Sequence, residues 1–463
     1  MSTHQVVQSL RPARTSTPAT ASSAGYAFGF WAIVRAVSRQ SPAFWFTSLY
    51  VFFEYVRPQQ IYTWMDVAPW PLISLSLAVL ATIVEGRPRI TSAPIWGLVI
   101  VFSLVIVASA FNAQYPATSW EWMNLWVNWL LLILVVGAGT RSRLELFLTL
   151  VAFGLWNLKM TQFGVRAWFG AGFSFRASGA SGGPGWFQNS GEFGIEMCVF
   201  LPLAIYFSIG LWPTLTKYKR IFLVGVVGSA LISMVVTSSR GALVGAAAIG
   251  LWALLRSKQR MRAIPIFALV AIAIWVIVPA ESKARFSEMG EDKTSVSRLT
   301  YWKHAIEITN DHPVLGIGYK NWIPYYRANY NPRGELPHNF LLECAAELGY
   351  LGVLVLLSLI GATFVENAKT RRICGQGGRA PDRFLYCIAH GLDGAMIGFI
   401  VSGSFVTVLF YPFLWMNIAL VLALCGVREN RGRVTRRLAG HWPANKSPWR
   451  AGPIANHPDA SVA

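Results

Sequence analysis

His338 is the residue whose type and position point most directly to chemistry. It stands in ELPHNFLLECAAELGYLG, where a long polar segment gives way to an apolar run. Asn339 is a good helix N-cap, so we expect His338 at the start of a membrane helix. The positive end of a helix lowers an imidazole's pKa and attracts anions. This predicts a neutral histidine that accepts a proton beside an anionic substrate; the alternative is a histidine that only hydrogen-bonds locally.

The residues that follow His338 in this run also have a helical arrangement. At 100° per residue, Gly349 and Gly352 fall about 20° and 40° from the direction of His338. Glycines on that face predict the close approach of another helix beneath the histidine. Glu343 and Glu347 lie on the opposite face. They could act in function or bind an arginine or a backbone amide, and we assign them no role.

Four arginines lie on the same predicted side of the membrane. Arg240 lies in TSSRGALVG, a very short connection, and Arg298 opens a predicted helix of the long polar segment. Arg166 and Arg176 precede the Gly-rich stretch SGASGGPGWFQNSGE. The planar guanidinium binds phosphate in a bidentate manner and stays charged. Arg240 could instead bind a lipid phosphate, and Arg166 and Arg176 could simply be solvated.

The elements that must position these residues are membrane-spanning helices. The chain is 54% hydrophobic and 13% charged, whereas a soluble protein has about 25% charged residues. Apolar runs long enough to cross a bilayer recur along it. We therefore predict an all-α polytopic transmembrane protein with about a dozen spans. They are 41–56 (with a possible extension through 26–34), 69–86, 94–112, 122–139, 143–160, 191–212, 220–237, 241–256, 262–280, 340–364, 384–404 and 407–427.

Charge predicts the orientation of these spans. With a cytoplasmic N-terminus, 27 of the 40 Lys and Arg fall on the cytoplasmic side and 13 outside, as the positive-inside rule requires. Residues 1–40 and 428–463 are then cytoplasmic tails. Residues 1–25 lack the apolar core of a signal peptide, which agrees with a cytoplasmic N-terminal tail. The spans fall into two groups, 41–280 and 340–427, separated by a periplasmic loop, 281–339.

Two outer segments have compositions that suggest function. Residues 161–190 contain the Gly-rich stretch. Residues 281–339 are too long for a simple connection and too aromatic to be disordered. Within them, SRLTYWKHAIEITN has residues at 299, 302, 305/306 and 309 that are apolar except for Thr309. That spacing predicts a helix lying along the membrane surface.

Several classes of site have no support in the sequence. The cysteines and histidines show no metal-ligand spacing, and no HExxH, GxSxG or phosphate-binding loop is present. We therefore expect neither a metal nor a cofactor. The net charge of +19 is explained by the membrane topology, so we expect membrane lipids and no nucleic acid as partners. Glu196 and Asp393, within predicted spans, have no assigned role.

These motifs together resemble the O-antigen ligase and polymerase superfamily. The resemblance rests on TSSRGALVG, on SRLTYWKHAIEITNDHPVLGIGYKNW, and on HN followed by nine residues and GYLG. The last of these is similar to the ligase pattern of a histidine, a small amide or serine, nine residues, a glycine, two residues and a second glycine. The segment GPGWFQNSGEFG is similar to a stretch that precedes a span in the family. The resemblance covers roughly residues 40–430.

The resemblance implies a bacterial O-antigen ligase of GT-C-like architecture in the Gram-negative inner membrane, with a periplasmic active site. Its donor would be a polysaccharide on undecaprenyl diphosphate, and its acceptor a sugar hydroxyl of lipid A–core. His338 would be the base, and Arg240 and Arg298 would hold the diphosphate in a metal-independent, inverting transfer. Arg166, Arg176 and Asn339 are possible further substrate-binding residues.

Three alternatives to a ligase remain open. An O-antigen polymerase or a protein O-oligosaccharyltransferase would use the same donor with another acceptor. A transporter of lipid-linked sugars is the third. It would be expected to have polar residues at mid-membrane in broken helices, whereas the polar residues here cluster at the outer face.

Overall fold

The computed structural model describes residues 29–440, except 87, 89, 177–178, 258–259, 278–282, 284–292 and 379–380. Both predicted tails therefore lie mostly outside the described residues, as does nearly all of 281–292. The α-helices are α1 (Phe30–Ser38), α2 (Pro42–Tyr55), α3 (Pro58–Ile61), α4 (Trp70–Val84), α5 (Ile95–Phe111), α6 (Pro116–Glu121), α7 (Met123–Leu132), α8 (Arg143–Gly170), α9 (Ser190–Leu211), α10 (Lys217–Val236), α11 (Arg240–Arg256), α12 (Arg260–Ile277), α13 (Lys293–Asp311), α14 (Trp322–Asn329), α15 (Phe340–Cys374), α16 (Arg383–Gly403) and α17 (Pro412–Gly440).

The prediction of an all-α polytopic membrane protein is confirmed. Among the described residues, seven helical segments are long and apolar enough to cross a membrane: 116–138, 143–170, 190–214, 217–236, 340–374, 383–403 and 412–431. The other predicted spans correspond to shorter helices, α2, α4, α5, α11 and α12. Other helices enclose most of α17: in its apolar part, within Pro412–Arg431, 89% of the residues are buried. This helix therefore forms the centre of the bundle.

Three predicted boundaries differ from the structure. Helix α8 begins with a Ser142–Glu145 capping box and continues to Gly170, so the first part of the predicted loop 161–190 is helical. Of the stretch 26–34, residues 26–28 lie outside the described residues; the remainder belongs mostly to α1, which ends at Ser38, and α2 starts separately at Pro42. Residues 404–411, predicted to be mostly helical, form an irregular segment between α16 and α17.

At one end of the bundle, ion pairs and hydrogen bonds join connections that are far apart in the sequence. The Asp382 carboxylate accepts hydrogen bonds from Arg143 Nε at 2.7 Å and from Arg431 Nη1 at 2.6 Å. Nearby, Glu429 Oε1 accepts from Ser92 Oγ at 2.7 Å. These contacts join the connections near residues 92, 143 and 382 to the C-terminal part of α17. The predicted topology assigns all of them to one side.

Candidate active site

The opposite end of the bundle, here called the site end, gathers the other connections. Gln114 N donates to Ile317 O at 2.8 Å, which joins the α5–α6 connection to the loop 281–339, here called the outer loop after its predicted location. Ser238 Oγ donates to Arg176 O at 2.7 Å, which joins the Gly-rich segment to the α10–α11 turn. These bonds bring together segments that are far apart in sequence.

His338 occupies a special backbone position at the site end. Its φ is 49°, in the left-handed region that a non-glycine residue adopts only at a cost of about 1–2 kcal/mol. It lies just before the helix, because Asn339 is the N-cap of α15 and its Oδ1 accepts from Leu341 N at 2.9 Å and Leu342 N at 3.2 Å. Asn339 thus has a structural role, and substrate binding by it stays a prediction.

The side chain of His338 is half-buried, and burial lowers its pKa to about 4, with the positive charge of Arg298 as the second cause. At neutral pH the imidazole is therefore uncharged and can accept a proton. We expected the helix dipole to lower this pKa. Burial and the neighbouring guanidinium lower it as well, and the contribution of the dipole stays a prediction.

Arg298 is held near His338 by the surface helix α13. The predicted helix over 297–310 is part of α13, which packs against α15. Its packed side includes the buried Ala305 and Ile308, while Leu299 and Ile306 are about half exposed. Only part of the predicted apolar stripe is therefore the packing face. One turn beyond Arg298, Trp302 Nε1 donates to Pro337 O at 2.9 Å.

Arg240 is the first residue of α11, in a turn of defined shape. Ser238 before it has a φ of 48°, and Ser239 Oγ accepts from Ala242 N at 3.4 Å as the N-cap. The Gly-rich segment packs directly on this turn. A Cβ on Gly179, whose φ is +70°, would lie 2.3 Å from Thr237 O, so only glycine fits there.

The two remaining candidate arginines are placed differently. Arg166 is exposed near the C-terminal end of α8, and Arg176 has an exposed side chain although its carbonyl oxygen contacts Ser238. Neither has a described side-chain contact with His338 or Arg240. Their role in substrate binding stays a prediction.

The irregular segment 404–411 connects these parts, and sequence reasoning missed it. Thr407 Oγ1 accepts from His338 N at 2.9 Å. A Cβ on Gly241, next to Arg240, would lie 3.1 Å from Phe405 Cβ. The segment therefore packs between the Arg240 turn and the His338 backbone. Two sequence signals were available: the proline at the first position of α17, and the run FVTV, which consists of β-branched and aromatic residues that favour extended backbone.

Glu343 and Glu347 hold backbone groups in place at the site end. Glu343 Oε2 accepts from Leu409 N at 3.2 Å. Glu347 accepts from Lys320 N at 3.0 Å and from Trp322 N at 3.1 Å. Both carboxylates are buried, so they fasten the segment 404–411 and the outer loop to α15. This is the structural alternative that the sequence left open.

The prediction of a helix approaching Gly349 and Gly352 beneath His338 is wrong. Gly349 has φ 69° and ψ −175°, so α15 is broken there and the angular offsets of a continuous helix do not apply. The neighbour is the outer loop: a Cβ on Gly349 would lie 2.4 Å from Val314 O. The break frees Ala346 O, which accepts from Ile317 N at 2.9 Å.

A second polar cluster lies beside the segment 404–411. Glu54 Oε1 accepts from Trp186 Nε1 at 2.6 Å and from Arg57 Nη2 at 3.1 Å, and the Arg57 guanidinium stacks 4.8 Å from the Trp186 ring. Tyr411 packs edge-on against Trp186, and its hydroxyl donates to Glu192 at 2.6 Å. This cluster braces the end of the segment against α2 and α9.

The described part of the chain contains no group of three or more His, Cys, Asp and Glu residues that could hold a metal ion. The two intramembrane carboxylates left without a role lie away from His338. Asp393 pairs with Arg371 and accepts from Asn367 Nδ2 at 2.8 Å, which is a structural arrangement. Glu196 is fully buried within α9.

Two stretches of the chain match known family models. Residues 202–357, which include Arg240, Arg298 and His338, match a family described as O-antigen ligase. Residues 26–210 match a family of unknown function. The comparison with curated proteins gives no match. The first match supports the O-antigen ligase and polymerase superfamily, and with it a membrane-embedded glycosyl-transfer enzyme that uses a lipid-linked glycan donor.

Proposed function

We propose that this protein is an O-antigen ligase that transfers a polysaccharide from undecaprenyl diphosphate to a sugar hydroxyl of lipid A–core. The observation that supports it most is the pair formed by His338 and Arg298. A histidine whose pKa is lowered to about 4 is uncharged at neutral pH, and it lies beside a cation suited to a phosphate. A hydroxyl acceptor and a diphosphate leaving group need this combination.

In the proposed reaction, Arg240 and Arg298 bind the diphosphate of the donor. The acceptor hydroxyl gives its proton to a ring nitrogen of His338 while its oxygen attacks the anomeric carbon from the side opposite the diphosphate. The bond between that carbon and the phosphate oxygen breaks, the configuration inverts, and undecaprenyl diphosphate leaves. The proton on His338 then passes to solvent or to the departing diphosphate. No step requires a metal.

We place this site on the periplasmic side of the inner membrane, with both termini in the cytoplasm. The excess of basic residues on the connections of the opposite end supports this orientation. The donor and the acceptor are both amphiphiles, so an active site at the membrane surface can bind them without extracting their lipid tails.

The first test concerns His338. A positioned general base contributes about 10²–10⁴-fold to the rate, so His338→Ala should reduce transfer by that factor without loss of folded protein or donor binding. His338→Gln keeps a hydrogen-bonding group but cannot accept a proton and should be equally poor. Initial rates with purified enzyme, donor and acceptor measure this. Full activity of the glutamine variant would show that His338 only orients the acceptor.

The acceptor is tested in the same assay. Purified enzyme and lipid-linked donor are mixed in separate reactions with lipid A–core, with a second lipid-linked repeat unit, or with a Ser/Thr-containing peptide. We expect product only with lipid A–core. Product with the lipid-linked unit would identify a polymerase, and product with the peptide a protein O-oligosaccharyltransferase.

Metal independence is tested by treatment with EDTA. Because the reaction as proposed uses only His338 and the arginines, we expect chelated enzyme to retain full activity with purified donor and acceptor. Loss of activity that Mg²⁺ or Mn²⁺ specifically restores would contradict the proposal.

A further inference from the structure

One peptide unit of the site is hydrogen-bonded at both of its polar groups. The carbonyl of Pro337 and the N–H of His338 belong to the same planar peptide. The carbonyl oxygen accepts from Trp302 Nε1 at 2.9 Å, and the N–H donates to Thr407 Oγ1 at 2.9 Å. Two side chains from different parts of the chain therefore fix the orientation of this plane.

The fixed plane determines where the imidazole points. His338 has a φ of 49°, a left-handed conformation that a histidine adopts only when its surroundings impose it. The peptide before His338 defines one side of this torsion angle. The helix N-cap Asn339 defines the backbone on the other side through its bonds to Leu341 and Leu342.

Both side chains that hold the peptide are themselves well anchored. Trp302 lies on α13, one turn after Arg298, so the same helix positions the guanidinium and fixes the histidine backbone. Thr407 is 8% exposed in the segment 404–411, whose backbone is held by Glu343 through Leu409 N at 3.2 Å. The two contacts come from two different elements, the helix α13 and the segment 404–411.

From these contacts we infer that Trp302 and Thr407 are positioning residues for His338: together they set the peptide orientation that aims the imidazole at the acceptor hydroxyl. Neither residue takes part in the proton transfer itself. The inference rests on the proposed function of His338 as the base. A base displaced by about 1 Å can lose about 10²-fold in rate, so the effect should appear in kcat.

The experiment uses the purified full-length protein with lipid-linked donor and acceptor. Thr407→Val keeps the shape of the side chain but removes the hydroxyl acceptor, and Trp302→Phe keeps an aromatic ring but removes the N–H. We expect each to lower kcat by about 10–100-fold with an unchanged KM for the donor. Thr407→Ser restores the hydroxyl and should recover most of kcat.

Matched controls separate positioning from a general loss of packing. Thr309→Val removes a buried threonine hydroxyl that bonds within α13, and Trp70→Phe, in α4, removes an indole N–H that donates to Met65 O at 2.6 Å. Both should keep a near-normal kcat. An equal loss in the controls, or no rescue by Thr407→Ser, would overturn the inference.

The outcomes also separate this inference from the proposed function. Normal kcat in both Thr407→Val and Trp302→Phe, with His338→Ala inactive, rejects the positioning role and leaves the base role intact. Activity in His338→Ala rejects the role of His338 as the base, on which this inference rests, whereas the acceptor assay tests the ligase function separately. In the His338→Ala background, Thr407→Val should cause no further loss, because its effect acts through the imidazole.

Discussion

At the scale of single residues, burial and a neighbouring charge act on the proposed base. Burial lowers the pKa of His338, and the positive charge of Arg298 lowers it further, so the imidazole stays unprotonated beside a guanidinium of a type that binds anions. A diphosphate bound at Arg298 brings negative charge that opposes this effect. Donor binding should therefore raise the basicity of the histidine at the moment when a base is needed.

This electrostatic coupling predicts a specific pH dependence. Protonated His338 cannot act as a base, so kcat/KM should fall as the pH drops through about 4 and stay level above about pH 5.5. The acidic limb of kcat should lie at higher pH, because the donor is then bound. Initial rates between pH 3.5 and 8 measure both limbs.

Removing the charge of Arg298 extends the test. In Arg298→Gln the positive charge no longer opposes protonation, so the acidic limb of kcat/KM should move to higher pH. Arg333→Gln, a change at an exposed arginine of the same loop, is the matched control and should leave the limb in place. An unshifted limb in Arg298→Gln would mean that this charge does not govern the base.

The two arginines proposed to bind the diphosphate should not tolerate lysine. Lysine keeps the charge but lacks the planar fork that binds two phosphate oxygens, so Arg240→Lys and Arg298→Lys should both raise the donor KM by roughly tenfold or more, as expected for a lost bidentate contact of about 1.5–3 kcal/mol. The alanine variants should be worse. Arg327→Lys, at an exposed position, provides a control. Wild-type KM in both lysine variants would reject bidentate binding.

At the scale of elements, the break in α15 is what attaches the outer loop to the membrane bundle. A helix without a break would satisfy its own carbonyl groups, and Ala346 O would have no need of Ile317 N. The freed carbonyls, together with Glu347, bind the backbone over residues 317–322. This attachment places α13, and therefore Arg298 and Trp302, above the start of α15.

Two glycines of α15 test this attachment. Gly349 has a backbone conformation that is essentially restricted to glycine, and a Cβ there would meet Val314. Gly349→Ala should therefore destabilise the fold by about 1–3 kcal/mol or more and expose the outer loop to protease. Gly361→Ala, in the same helix with no atom within 4 Å of its Cβ position, should be neutral or slightly stabilising. Thermal unfolding in detergent compares the two, and equal stability would contradict the role of the break.

The sequence was informative where charge or hydropathy changes along the chain. His338 and Arg240 stand out because ionisable residues beside apolar runs are rare, and Arg298 stands out because it opens a helical pattern in the long polar segment. Thr407 does not, because an uncharged residue within an apolar run changes hydropathy little. Hydropathy also does not distinguish an apolar helix from an apolar irregular segment such as 404–411. The break at Gly349 was missed because a rotation of 100° per residue applies only to a continuous helix.

At the scale of the whole molecule, alternate connections gather at opposite ends of one bundle. The site end contains the His338 backbone and the Arg240 turn, while the other end contains the ion pairs of Asp382. Successive spanning helices run in opposite directions between these two ends. The two ends therefore face opposite compartments if the bundle spans the membrane.

Cysteine labelling tests the orientation. All five native cysteines are buried, so a new surface cysteine should dominate the reaction. A membrane-impermeant maleimide added to intact spheroplasts should label Arg333→Cys, at the site end, and leave Gln376→Cys, at the other end, unmodified. Permeabilised membranes should label both. Labelling of Gln376→Cys alone in intact spheroplasts would reverse the orientation.

The bond between His338 and Thr407 joins residues 69 positions apart, and this separation orders events during biosynthesis. Arg240, Arg298, Trp302 and His338 leave the ribosome before α16 and α17 are synthesised. A growing chain can therefore contain the proposed base and the proposed anion-binding arginines before Thr407 can accept the hydrogen bond from His338 N. The full rate would be reached only when α16 and α17 are inserted. Unfinished chains would then consume the lipid-linked glycan more slowly.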